Sequence, residues 1–199
     1  MLFIAFLTLF IVYSTGTVDA RETVNDAARI GRRLIHETSI GTMATRYSSD
    51  HPTLAGMPFA LQEYYASCFT NGSLLLLFLP ISRHSRNILA SPGHTASISM
   101  WHNPSPSADQ PRISLMGNVT VLRHESELSP DLKDCYLSEH PDAKWWLPED
   151  PESAHISFWA RFDPVSVYFV GGFGDEHYIG EIPLNLYQEV SYSKSLRVQ

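Results

Sequence analysis

The stretch Ser73-Leu74-Leu75-Leu76-Leu77-Phe78-Leu79-Pro80-Ile81-Ser82-Arg83-His84-Ser85-Arg86-Asn87-Ile88-Leu89, residues 73–89, changes character at its proline. Leu74 to Leu79 is an unbroken apolar run of strand length, the pattern of a strand buried on both faces. Ser82 to Leu89 is polar and basic, and it reads as a brief helix that Ser91-Pro92-Gly93 ends. A strand with no polar face must lie between two layers of other residues, so the flanking sequence decides what surrounds it.

That sequence supplies more strands. Gly41 to Tyr47 (GTMATRY) and Pro58 to Ser67 (PFALQEYYAS) read as two, separated by a loop over 50–56 that carries a proline and a glycine. Thr95 to Trp101 alternates as a strand, and Ile113 to Leu122 forms a longer one beyond the proline- and serine-rich loop from Asn103 to Pro111. Ala154 to Phe162 and Val165 to Val170 read as a pair of strands joined by Asp163-Pro164, with Tyr178 to Ile182 as a short edge segment. Helical spacing marks Thr23 to Glu37, where Val24, Ala27, Ala28, Ile30, Leu34 and Ile35 recur and Arg29, Arg32 and Arg33 read as a solvated face. Ser129-Pro130 starts another helix, with Leu132, Tyr136 and Leu137 inward, that stops before Pro141. Six main strands with two or three helices suit a mainly β fold, and a closed or split antiparallel barrel leaves the fewest open edges.

The chain has 199 residues, 44% of them hydrophobic, which provides for one domain with a real core. Its formal charge of −7 has the wrong sign for gripping nucleic acid or an acidic membrane surface. Met1 to Tyr13 is almost wholly apolar, too short for a comfortable membrane span but right for the hydrophobic region of a leader. With Val18-Asp19-Ala20 as a cleavage site, residues 1–20 are expected to be a signal peptide and 21–199 the mature domain; an uncleaved anchor helix is the alternative. No second run is long enough to cross a bilayer. A secreted chain makes Asn71-Gly72-Ser73 and Asn118-Val119-Thr120 acceptor sequons, the second usable only if Asn118 faces outward from its strand. Cys68 and Cys135 are the two cysteines, and they can pair or stay as two buried thiols.

The order of several short motifs resembles a known family. Gly56-x-Pro58 and Ser82-Arg83-His84-Ser85-Arg86-Asn87-Ile88 with Ser91-Pro92 are similar to the six-stranded FMN-binding split barrel of pyridoxamine-phosphate-oxidase-like proteins. His140-Pro141-Asp142-Ala143-Lys144-x-Trp146, Phe158-Trp159-Ala160-Arg161-Phe162 and Gly171-Gly172 resemble the CREG (cellular repressor) branch of secreted glycoproteins. The resemblance implies a homodimer, an extracellular, endolysosomal or vacuolar location, and a flavin pocket that in this branch is typically obstructed.

Whether FMN is held turns on an anion clamp, because its phosphate carries nearly two negative charges and needs cations or N–H donors. The resemblance places Ser82, Arg83, His84, Arg86 and Asn87 at the phosphate motif, with His84 where relatives carry a lysine. A histidine there weakens the clamp near neutral pH and strengthens it in an acidic compartment. The second strand argues against FMN: where tight binders carry Arg and Lys, Phe59-Ala60-Leu61-Gln62-Glu63-Tyr64-Tyr65 has no base and one acid. The readings are therefore a binding or signalling protein with a degenerate flavin pocket, meeting a protein or glycan partner, or an FMN-dependent oxidoreductase. Nine scattered histidines include no His-x-x-x-His, so zinc catalysis has no support, and heme ligation has no histidine to nominate. Trp145, Trp146 and Trp159 suit a ligand ring or a core, and Glu149 with Asp150 reads as a solvated acidic loop.

Overall fold

The computed structural model describes residues 21–101, 107–122, 128–148 and 150–190. The expected leader, the first residues of the loop that starts at Asn103, and Glu149 lie outside them. In chain order the elements are α1 (Val24–Glu37), β1 (Ile40–Arg46), β2 (Pro58–Tyr64), β3 (Leu74–Phe78), α2 (Arg83–Ala90), β4 (Thr95–Trp101), β5 (Arg112–Leu122), α3 (Pro130–Glu139), β6 (Phe158–Val170), β7 (Ile179–Glu181) and α4 (Leu184–Glu189). Short 3₁₀ turns span Pro92–His94 and Pro141–Trp146. The strands join in the order β2-β1-β4-β5-β6-β3, all antiparallel, with β7 on β6. Just past β2, Ala66 and Leu75 exchange both backbone hydrogen bonds at 2.9 Å, which joins the two ends of the sheet through a single bridge.

The apolar run at β3 is buried at every position. Leu74, Leu76 and Phe78 face the barrel interior with Met43, Ile98, Leu115, Phe162 and Phe169, while Leu75 and Leu77 face a second cluster with Tyr136, Ala143 and Trp159. Each such side chain contributes about 1.5–3 kcal/mol on leaving water. The second layer is fastened by a Cys68–Cys135 disulfide, which ties α3 to the connection ahead of β3. Cross-linking residues 67 apart in sequence stabilises the fold by about 4 kcal/mol in the chain-entropy account.

Three expectations change. The two strands expected over 154–170 are one strand of 13 residues, β6, which begins at Phe158 and runs through Asp163-Pro164 instead of turning there. Pro164 lies opposite Gly117 where the β5–β6 register shifts, so its missing N–H falls at a bulge and leaves the ladder intact on both sides. Arg32, expected in solvent, is 3% exposed. Its guanidinium donates to the Thr70 carbonyl at 2.8 Å and the Val190 carbonyl at 3.3 Å and lies 5.1 Å from the Tyr187 ring centre. Gly72, at φ +81°, makes room for it, since a Cβ there would stand 2.0 Å from the guanidinium. Arg29 and Arg33 do face solvent, Arg29 pairing with Asp26. The third change is α4, six residues too few to display a helical period, whose Tyr187 is fully buried against Arg32.

Candidate functional site

Ser82 caps α2: its hydroxyl accepts from the Ser85 backbone N–H at 3.1 Å. That fixes the helix phase, and the phase sorts the expected clamp into inward and outward residues. His84 and Asn87 turn toward the barrel, 4% and 3% exposed, and meet Thr45 of β1. Asn87 Nδ2 donates to Thr45 Oγ1 at 3.0 Å, and Thr45 Oγ1 lies 3.2 Å from His84 Nδ1. His84 Nε2 lies 3.3 Å from the Leu61 carbonyl, which can only accept, so Nε2 carries the ring proton. Nδ1 then accepts the Thr45 hydroxyl proton, and every group in the chain is satisfied with His84 neutral. The Phe59 ring packs 4.9 Å from the imidazole, and burial holds its pKa below the ordinary histidine value, offset in part by the bond to Leu61.

The remaining two residues of the set point outward. Arg83 lays its guanidinium 5.1 Å from the Tyr47 ring centre, and Arg86 donates from Nε to the Pro80 carbonyl at 3.4 Å. On β2, burial pushes the Glu63 carboxyl up to about 7, with the Tyr64 N–H lowering it in part. The expected phosphate motif is thus a helix start that carries two outward cations and three side chains bonded to the protein itself. FMN does not fit these residues as a complete phosphate clamp, because His84 and Asn87 are buried against Thr45 and His84 spends its one N–H on the Leu61 carbonyl. A groove of about 670 Å³ runs beside this region, with Arg46, which donates to the Gly56 carbonyl at 3.2 Å, as its single lining cation among the described residues.

The residues reserved for modification and stacking also find places. Asn71 accepts from the Ser73 N–H at 3.2 Å, and the Ser73 hydroxyl is buried, donating to Asp163 at 2.6 Å. Asn118 is half-buried and donates from Nδ2 to the Gly93 carbonyl at 2.6 Å. Trp159 is core, Trp146 packs at its margin, and Trp145 is 65% exposed beside Lys144.

Residues 22–189 match a protein family described as CREG, beta-barrel. The chain belongs to the CREG family. No curated protein sequence matches this CREG chain significantly. Its fold is similar to that of the heme binding protein from Mycobacterium smegmatis, at 20% identity and TM-score 0.63, over 85% of this chain and 61% of that one. It is also similar to a protein of unknown function from Agrobacterium tumefaciens, at 19% identity and TM-score 0.59, over 74% and 57%. HutZ, the heme storage protein from Vibrio cholerae, matches at 19% identity and TM-score 0.54, over 73% and 95%. At such identities the likeness shows the fold, and it agrees with the split barrel that the CREG match implies.

Sequence reasoning passed over three residues near the site. Thr45 sits in an ordinary alternating strand and gives no sign that it receives two side chains from α2. Arg46 follows it as a lone base, and His94 follows Pro92-Gly93 in what reads as a plain turn. Only the Pro-Gly pair hinted at unusual backbone there.

Proposed function

We propose that this CREG chain is a secreted, N-glycosylated homodimer that acts by binding rather than by flavin turnover. The observation that carries the proposal is the inward chain Asn87–Thr45–His84–Leu61, which removes two groups of the flavin motif from any ligand's reach. The base-free β2 removes the opposite side of the clamp. Partners of protein or glycan type suit such a molecule, and the apolar start of the sequence supports export to the cell exterior or an acidic organelle.

Dimerisation draws support from the outer face of the sheet. Trp101, Tyr168 and Ile179 on β4, β6 and β7 stand 57%, 42% and 46% exposed, and Val170 links them in register between Arg112 and Ile179. Exposed apolar side chains gathered on one sheet face, here around Arg112, are an ordinary mark of an interface.

The test is an absorbance and fluorescence titration of the secreted protein with FMN at pH 5 and pH 7, alongside its mass by light scattering. The expected result is a dimer with no saturable FMN binding. A second reading, an FMN-dependent oxidoreductase, is favoured by the outward Arg83 and Arg86, which still offer two cations at one helix start. It predicts one FMN per subunit and a loss of about 1.5–3 kcal/mol of binding in Arg83→Ala.

A further inference from the structure

The pair Gly171-Gly172 takes no part in the flavin region, and its contacts lie with the start of the described chain. An added Cβ on Gly171 would stand 2.7 Å and 2.9 Å from the two carboxylate oxygens of Glu22. One on Gly172 would stand 2.6 Å from the His177 ring and 2.8 Å from the Asp109 carbonyl. The two glycines therefore form the floor of a seat for Glu22, whose side chain is 10% exposed. The backbone around Glu22 is fixed as well: its N–H donates to the Glu176 carbonyl at 3.1 Å, and Thr23 starts α1 in a capping box with Asp26.

The two oxygens of this carboxylate are treated unequally. Oε2 lies 2.9 Å from His177 Nδ1, which carries the proton because a carboxylate only accepts. Oε1 is buried and has no hydrogen-bond partner among the described residues. Covering a carboxylate oxygen without giving it a donor is costly, so a built seat that is one donor short points to a cation that arrives later.

Maturation supplies such a cation. Residues 1–20 read as a leader cut after Ala20, which makes Arg21 the first residue and puts its nitrogen next to Glu22 in the chain. Hydrolysis breaks the bond between the Ala20 carbonyl carbon and the Arg21 nitrogen. Water supplies the hydroxyl of a new Ala20 carboxyl and a hydrogen to the nitrogen, and the proton of that carboxyl completes an ammonium. A single peptide N–H, restrained on both sides, becomes a charged group with several donors whose direction only the Arg21 ψ torsion sets. We propose that Glu22, on its Gly171-Gly172 seat, binds the α-ammonium of Arg21, so that leader removal supplies the missing donor and locks the mature N-terminus onto the loop ahead of β7. This rests on the export reading above, since only cleavage at Ala20 makes that amine. The other charged groups near the seat are His177 and the exposed Arg21 side chain; Asp109 and Glu176 present backbone carbonyls to it, and Asp26 is taken up by Thr23 and Arg29.

The test pairs the N-terminal mass of the secreted protein with the stability of two chains, one starting at Arg21 and one that keeps Ala20, each with Glu22 and with Glu22→Gln. The expected start is Arg21, and keeping Ala20 should lower the folding equilibrium constant about tenfold, as for loss of a charge-assisted bond. In Glu22→Gln the two starts should be equally stable. The Arg21 amine should titrate about one pH unit above its ordinary range of roughly 7.7–8.0 and return to it in Glu22→Gln. Because the folded chain then holds its proton more tightly, the advantage of the Arg21 start is full below about pH 7.7 and is lost as pH rises through the folded midpoint. Should Glu22→Gln fail to fold, the amine midpoint of the unsubstituted chain decides alone. A start other than Arg21 overturns both the proposal and the leader reading. A start at Arg21 with equal stability of the two chains, or with the amine in its ordinary range, overturns the proposal and leaves export standing.

Discussion

The start of α2 and the turn that follows its end lie within a dozen residues of each other, yet they treat their histidines in opposite ways. His84 sits on a regular helix, buried, with both ring nitrogens bonded inside the barrel. His94 sits on left-handed backbone, half-exposed beside a groove, with one nitrogen anchored and the other without a partner among the described residues. The basic, motif-like segment serves the fold, while the unremarkable turn leaves a ring nitrogen without a partner among the described residues. A charged run in sequence reports what a segment contains, but binding depends on which atoms the fold leaves unbonded.

The sharpest way to break this contrast is at Thr45. Thr45→Val removes the atom that joins His84 to Asn87 and strands two buried polar groups, so we expect a loss of about 3 kcal/mol in denaturant unfolding. A change under about 0.5 kcal/mol would mean that the inward chain carries no structural weight. Next comes Glu63, whose carboxyl titrates near 7 in the fold against 4.5 when unfolded. Because the folded state binds the extra proton, stability falls as pH rises through that window. Glu63→Gln should therefore stabilise the protein by about 2 kcal/mol at pH 8 and by almost nothing at pH 4, read from unfolding midpoints at both values.

Smaller effects belong to the turn and the surface. Asn118→Ala loses the bond to the Gly93 carbonyl and should cost about 1 kcal/mol, read from denaturant unfolding. Arg83→Ala loses only the half-buried stacking of its guanidinium on Tyr47. It should cost about 0.5 kcal/mol and leave FMN behaviour unchanged, checked by thermal melts beside the titration.

Much of the fold was legible because it depends on patterns that burial imposes directly. The run at β3, the alternation of β4 and the cap at α3 each state their environment in a few residues. β6 was misread because a proline ordinarily ends a strand, and only its partner strand shows that Gly117 makes a bulge there. Arg32 was misread because its burial is arranged from elsewhere in the chain, by the Thr70–Ser73 turn and Tyr187. Less of the site was legible. Ser82 to Asn87 reads from sequence as a helix start, which it is, but the direction of its side chains depends on helix phase relative to Thr45, a contact between residues about forty apart. His94 carries no motif, since its significance lies in a backbone angle and a missing partner.

The central claim, that the helix start is bonded inward and holds no phosphate, is tested most directly by following the His84 ring nitrogens by NMR across pH 4–8, with and without FMN. Burial keeps this imidazole neutral, so its midpoint should lie below the ordinary value of about 6.5, with Nε2 carrying the proton and no change on adding FMN. In the same range the unfolded chain takes up a proton that the folded chain does not, so His84 withdraws stability as pH falls below about 6.5. A midpoint above 6.5, or one that rises when FMN is added, would contradict the account and return His84 to the flavin site.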